Sequence, residues 1–368
     1  MNKIPYLLVL ILFVFGCFPM KSIFLGRPDN KDSYRFDSNF ISSAPIPFDF
    51  DEAMDKGTAE IKIHDQSKNL ATYISLEEFA SLHATRAILI IKNDTIKYER
   101  YFDGCEETSK EPSYSMAKSF ISGLIGIAIN DKIIDNENDL VAKYIPEIKQ
   151  IAGSEGLKIK HLLNHTSGIK YKLSLDAHLY YGNDLMKALK QIEFIEPPGT
   201  RVSYLNINSQ LLGLILQRSL NEPFINYFER KLWHPLGMES DAFWSTDKNG
   251  VEKTFCCLNA TSRDYAKFGR LYIKNGIWEG KTIIPKSWIT KSISRDTTDG
   301  SGIGYNFSWY IGSKTYDDFW FNGMNANYVY LSRKFNTIVV FINDEEKRIN
   351  SARGQWINKC RQIVDLFN

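Results

Sequence analysis

The spacing of apolar positions changes character several times along the chain. In "ATRAILIIKNDTIKYERYF" two β-rich runs flank Asn93-Asp94, a dipeptide suited to the tight turn of a hairpin. Next, "EPSYSMAKSFISGLIGIAIN" (111–130) sets a small polar cluster before a nearly unbroken apolar run. There Phe120, Ile121, Leu124, Ile125, Ile127, Ala128 and Ile129 leave little polar face, which predicts a buried central helix. It begins just past Pro112, which biases Glu111 toward extended backbone, and stops at Asn130-Asp131. From about 131 to 295 helical periods dominate. "LKIKHLLNHTSGI" predicts a short helix closed by Gly168, and "PPGTRVSYLNINSQLLGLILQRSL" a turn, an irregular segment and a second apolar helix. "ATSRDYAKFGRLYIKNG" and "IPKSWITKSI" predict two amphipathic helices. After about 303 strand patterns return in "GYNFSWYI", "DDFWFNG", "NYVYLSR" and "NTIVVFIND", and an amphipathic helix follows over 355–366.

A hairpin early, helices in the middle and a β-meander late predict an α+β fold. The terminal segments form one antiparallel sheet flanked by helices, with a helical subdomain inserted at about 131–295. Residues 56–368 then make a single domain. The buried helix near 115 lies at the seam between its parts, where ligand sites tend to form.

The first residues have another purpose. "MNKIPYLLVLILFVFGC" has Lys3, an apolar stretch over 6–15 and then Gly16-Cys17. The run is short for a bilayer span and fits a secretory signal over residues 1–17. A small residue before cysteine, with Val14 in the aliphatic place, resembles a bacterial lipobox. The expectation is export, with Cys17 lipidated and the protein anchored in the cell envelope. Residues 18–55 are polar and irregular and read as a tether or wrapping arm.

Composition narrows the partners. Of 368 residues, 43% are hydrophobic and 24% charged, enough for a sizeable core. A net charge of +2 without a Lys/Arg block argues against nucleic acid. The 13% aromatic content fits a large core with an aromatic-lined cleft. Cys105, Cys256, Cys257 and Cys360 match no zinc site and are too sparse for a disulfide scaffold. Adjacent cysteines do not easily bridge to each other; one bridge stays open in an oxidising compartment, and the favoured reading of the four is small buried hydrophobes.

The chemistry begins at Ser115-x-x-Lys118. Residues three apart on a helix share a face, with roughly 5–6 Å between Cβ atoms, so the amine can reach the hydroxyl. A serine in the first turn also presents its own N–H beside the positive end of the helix dipole, which is half of an oxyanion hole. Burial against the apolar run favours the neutral lysine that a base must be. The pattern recurs at Ser167-Lys170 and Ser245-Lys248, but the former sits on a helix stop and the latter runs into a turn. The second cluster is Ser203-Tyr204-Leu205-Asn206, on a loop tip between Pro197-Pro198-Gly199 and an apolar helix. Its tyrosine, beside a lysine, can relay a proton. Tyr-x-Asn also occurs at Tyr181-Gly182-Asn183. Other motifs fail: there is no Gly-x-Ser-x-Gly, His161 and His165 lack the glutamate of a zincin, and no phosphate loop appears.

"YSMAKS", "HLLNHTSGI", "PPGTRVSYLN" and "WHPLGM" together resemble the serine β-lactamase and penicillin-binding-protein-like hydrolases, class C branch. "LYYGNDLMKALKQI" and "ATSRDYAKFGRLYIKNGIWEGKTIIPKSWI" are similar, more narrowly, to the aminohexanoate-dimer (nylon-oligomer) hydrolase group. The resemblance runs from about residue 86 to the end, with the motifs in the family's order. It implies a β-lactamase/transpeptidase-like fold and an acyl-enzyme hydrolase of a small ester or amide, without metal or cofactor. Ser115 would be nucleophile, Lys118 base and Tyr204 proton relay. The N–H groups of Ser115 and Met324 would hold the oxyanion, and Asn206, Tyr171 and Gly323 would contact substrate. The family's Lys/His-x-Gly strand corresponds to Phe321-Asn322-Gly323, where the cation is missing and an aromatic ring is expected to face the cleft. Asn325, Ala326 and Asn327 replace a Gly-Gly-Gln pattern of the aminohexanoate group. Rival readings are a peptidoglycan DD-peptidase or β-lactamase, and a retired hydrolase that binds muropeptides or partners.

Overall fold

The computed structural model describes residues 28–53, 61–65, 72–344 and 354–368, so the signal segment and Cys17 lie outside the described residues. Its centre is an eight-stranded sheet. The C-terminal meander (Tyr305–Asn306, Trp309–Ile311, Asp318–Asn322, Tyr328–Ser332, Thr337–Asn343) joins the early hairpin (Thr85–Lys92, Thr95–Tyr101) by antiparallel pairing of Thr337–Asn343 with Thr85–Lys92. Asn93 and Asp94 take φ of 52° and 61°, the left-handed pair that a two-residue hairpin turn requires. The sequence expectation of one sheet from both ends of the chain holds, with one addition. Asp51–Glu52 joins the hairpin edge in parallel, so the arm is partly built into the sheet.

The near-continuous apolar runs of the central strands follow from burial on both faces. Leu89, Ile91, Val329, Leu331 and Val340 face one core with Phe120, Phe268 and Leu271. Ile88, Ile90, Tyr330, Val339 and Phe341 face a second core with Phe79 and the C-terminal helix Gly354–Leu366. On the first face, helix Ser262–Ile273 sits so close that a Cβ at Gly269 would lie 2.6 Å from Leu331. That helix covers the sheet directly. The apolar helix Ala117–Asn130, which follows Ser115, packs in the same core, with all but its last two residues buried.

A second, four-stranded sheet was not legible in the sequence: Ser38–Ile41, Ala242–Ser245, Leu258–Ala260 and Glu111–Pro112, in that order. It ties the arm to the stretch before Ser115. Of the tether or wrapping arm expected over residues 18–55, the described part packs as an arm: Ser38–Ile41 pairs with Ala242–Ser245, and Asp32 is buried under the hydroxyl of Tyr180 at 2.9 Å.

Candidate active site

The turn that carries Ser115 is held before the helix that follows it begins. Glu111–Pro112 pairs with Leu258–Ala260, and the Ser113 N–H donates to the Leu258 carbonyl at 2.8 Å. Tyr114 then takes φ +44°, costly for a bulky residue and maintained by what surrounds it. Its hydroxyl donates to Asn30 Oδ1 at 3.1 Å and accepts from Asn325 Nδ2 at 3.3 Å. The arm and the loop after Met324 thus pin this turn from both sides. Ser115 follows in a 3₁₀ turn, Tyr114–Met116, that leads straight into the buried helix.

Lys118 is 1% exposed, and its Nζ has three oxygen neighbours: Ser115 Oγ at 3.0 Å, Asn206 Oδ1 at 3.0 Å and the Phe255 carbonyl at 2.6 Å. Burial pushes its pKa down to about 7, against the opposing field of the Asp176 carboxylate. A neutral amine has two N–H bonds and one lone pair. The Phe255 carbonyl accepts one N–H. Asn206 also donates to Asp176, which fixes its amide with the oxygen toward Lys118 and takes the other N–H. When protonated, Lys118 donates its third N–H to Ser115 Oγ; in the neutral form the lone pair takes that place and the Ser115 hydroxyl can donate to it. Asp176, on helix Leu173–Tyr181, and the Phe255 carbonyl were not legible beforehand. A backbone acceptor leaves no side-chain signal.

Tyr204 is 42% exposed and its ring centre lies 5.2 Å from Lys118 Nζ. Behind it His165 stacks at 4.3 Å. The His165 carbonyl accepts from Ser203 N at 2.7 Å and its Nδ1 from Leu205 N at 3.1 Å. Burial and the nearby Lys118 push the imidazole pKa down to about 3, so it stays neutral. His165 is therefore the scaffold of the tyrosine loop, more than the helix end the sequence suggested.

Opposite Ser115, strand Asp318–Asn322 ends at Gly323, where a Cβ would sit 2.4 Å from the Ser113 carbonyl oxygen and 2.9 Å from Tyr114 Cβ. Glycine is required for the strand to reach the turn that carries Ser115. The replaced residues that follow make a tied loop. Asn325 and Ala326 take φ of 60° and 61°, and the buried Asn327 donates to the Pro112 carbonyl at 3.0 Å and accepts from Asn343 N at 2.7 Å.

Ser115, Tyr204, Asn206, Gly323 and Met324 line one cavity of about 570 Å³, with Asp176 and the rings of Tyr305, Tyr310, Tyr328 and Trp356. Three expectations fall elsewhere. Tyr171 is 55% exposed and outside this lining, because its loop is tied to Glu193 through the Lys170 N–H (2.7 Å) and the ion pairs of Lys170 and Lys172. Phe321 does not face the cleft. Strand alternation turns it into the core, 1% exposed, edge-on to Phe120, Phe268 and Trp309, and brings Asn322 to the cavity wall instead. Cys256 and Cys257, for which the sequence favours no bridge, form a disulfide between adjacent residues, with Cys257 in a left-handed conformation of φ +74°. Cys105 and Cys360 are free and buried. Lys170 and Lys248, from the two other Ser-x-x-Lys matches, form ion pairs with Glu193 and Asp37 and reach no serine hydroxyl.

A buried lysine one turn after Ser115, a Tyr-x-Asn loop and a strand ending in glycine opposite them form one constellation. The β-lactamase family profile matches residues 83–354, which include all three parts. The chain belongs to the β-lactamase family. This β-lactamase-family chain is 23% identical over 239 residues to the 6-aminohexanoate-dimer hydrolase of Paenarthrobacter ureafaciens, covering 60% of each. To protein flp of Staphylococcus aureus (strain COL) it is 29% identical over 175 residues, 44% of this chain and 35% of flp. The chain therefore spans about a third of the length of flp. Among solved structures, a Bacillus anthracis protein assigned as a 6-aminohexanoate-dimer hydrolase superposes with a TM-score of 0.82 at 22% identity, covering 92% of this chain and 93% of that one. At that identity the likeness bears on the fold.

Proposed function

We propose that this protein is an exported serine hydrolase that cleaves a small ester or amide bond through an acyl-serine intermediate. The observation that carries the reading is the placement of Lys118 Nζ, buried and 3.0 Å from Ser115 Oγ, with Asn206 Oδ1 and the Phe255 carbonyl as its other neighbours; in the neutral amine those two take the N–H bonds and the lone pair turns to Ser115. In this mechanism Ser115 Oγ attacks the carbonyl carbon while its proton passes to Lys118. The N–H groups of Ser115 and Met324 receive the oxyanion. Tyr204 gives a proton to the leaving group, and the same groups then activate water for deacylation. Asp176 is the one formally charged residue among the described residues that line this cavity, so anionic groups next to the scissile bond are disfavoured.

A DD-peptidase or β-lactamase reading needs a cation for the substrate carboxylate beside Ser115, and this lining offers none apart from the buried base. The intact Ser115–Lys118–Asn206 contacts argue against a retired binding protein. A fluorophosphonate probe should label wild type and spare Ser115→Ala. A panel of nitrophenyl esters, linear amides and nitrocefin should show short neutral esters turned over and nitrocefin barely touched. Labelling of both proteins sinks the mechanism, and rapid nitrocefin hydrolysis puts the β-lactamase reading first.

The pH profile gives a second test. The active form carries neutral Lys118, whose pKa is lowered to about 7, so protonation on the acid side removes the base. kcat/KM for a neutral ester should fall about tenfold per pH unit below 7 and level off above it. A profile flat from pH 5 to 9 would exclude Lys118 as base.

Export and anchoring at Cys17 are proposed from residues 1–17 alone. Wild type produced in a bacterium should partition into detergent, and Cys17→Ser should not. Equal partitioning of the two would discard the lipid anchor.

A further inference from the structure

A second cavity, about 560 Å³, adjoins the catalytic one and shares Tyr310, Asn322 and Tyr328 with it. Its walls are unlike those around Ser115. Tyr310 and Trp320 face each other across paired strands, parallel within 4° at 5.8 Å between ring centres, and Ile311 and Ile357 add apolar surface. Two arginines line it. Arg361 is neutralised by Asp318, whose Oδ2 accepts from Nε at 2.8 Å. Arg295 is not. Its guanidinium donates to two carbonyls, of Ile303 at 3.4 Å and of Gly312, and among the described residues no carboxylate pairs with it. Carbonyls hold the guanidinium in place without cancelling its charge, which leaves a positioned cation beside an aromatic platform.

We infer that this second cavity is a subsite for an anionic, amphiphilic part of the substrate, a carboxylate on an apolar chain, with Arg295 receiving the carboxylate. The inference rests on the hydrolase reading for its place in substrate recognition, though binding itself does not require turnover. It also accounts for the missing cation on the strand. A carboxylate next to the scissile bond would meet Asp176, whereas one held a cavity away meets Arg295. Tyr310, Asn322 and Tyr328 border both spaces, so on this inference a single linear molecule runs past them from one cavity into the other. The class implied is a linear ester or amide with a neutral bond to be cut and a carboxylate several bonds removed.

The test uses n-octanoate and n-octanol as probes, measured by calorimetry against the full chain carrying Ser115→Ala. Octanoate should bind more tightly than octanol. Adding Arg295→Gln should weaken octanoate about tenfold or more, the expected loss of a charge-assisted guanidinium–carboxylate pair. Adding Arg295→Lys should retain part of the affinity, which separates lost charge from a disturbed strand Trp309–Ile311. In the active enzyme, the kcat/KM ratio of ω-carboxyalkanoyl nitrophenyl esters to their methyl esters should fall about tenfold in Arg295→Gln for long chains. Octanoate binding that is absent, or equal in the Arg295→Gln protein, overturns the inference. Because binding is read without Ser115, that result leaves the hydrolase reading standing wherever neutral esters are still turned over.

Discussion

Lys118→Arg is expected to lower kcat/KM for a short neutral ester by at least about a thousandfold, the scale seen when one member of a nucleophile–base unit is removed. Arginine keeps a positive charge and length at position 118 but does not surrender its proton at any pH where the protein is folded. The three oxygens around Nζ would all become acceptors of a permanent cation, and the Ser115 hydroxyl would lose the lone pair that takes its proton. Ser115→Ala should cost about as much, and the double variant little more, because the two residues perform one step. Steady-state rates with a nitrophenyl ester, together with fluorophosphonate labelling, make the comparison. An arginine variant retaining a tenth of wild-type activity would mean that another group deprotonates Ser115, and Tyr204 would be the next residue to replace.

The parts of this site that sequence reveals are those where one residue type must recur at a fixed helical spacing. Ser115 and Lys118 stand out because a lysine at the mouth of an apolar helix is costly without a task, and the structure buries that lysine to 1% exposure. The sheet was legible because long apolar runs at both ends of the chain require burial on two faces. Strands as short as Ala242–Ser245 and Leu258–Ala260 carry too few residues for a period to show, so the second sheet stayed hidden. Asp176 and the Phe255 carbonyl act from distant segments on Lys118 and its partner Asn206, and no local pattern encodes such a meeting. His165 showed itself only as a helix end, since its stacking on Tyr204 depends on a loop nearly forty residues away. The bridge between Cys256 and Cys257 depends on a left-handed backbone that cysteine does not announce.

Phe321 shows what a one-residue shift in facing does to a functional expectation. Aligning the missing cation with position 321 suggests that Phe321→Lys would restore carboxylate recognition. The structure predicts a collapse of stability instead. Phe321 is 1% exposed and packed edge-on against Phe120, Phe268 and Trp309, behind the nucleophile helix. Losing that ring costs about 3–5 kcal/mol, and an ammonium with no partner in the same space adds several more. At roughly 2 °C per kcal/mol for a domain of this size, the melting temperature should fall by about 15 °C or the protein should fail to fold. Asn322 is the contrasting position. It points the other way along the strand, is half-buried and lines both cavities. Asn322→Lys should keep the melting temperature within a few degrees of wild type and raise activity on carboxylate-bearing esters relative to neutral ones about tenfold. Thermal melts of the two variants side by side decide the matter. A stable Phe321→Lys with enhanced carboxylate selectivity would show that residue 321 faces the cleft, and the assignment of Asn322 to its wall would have to be withdrawn.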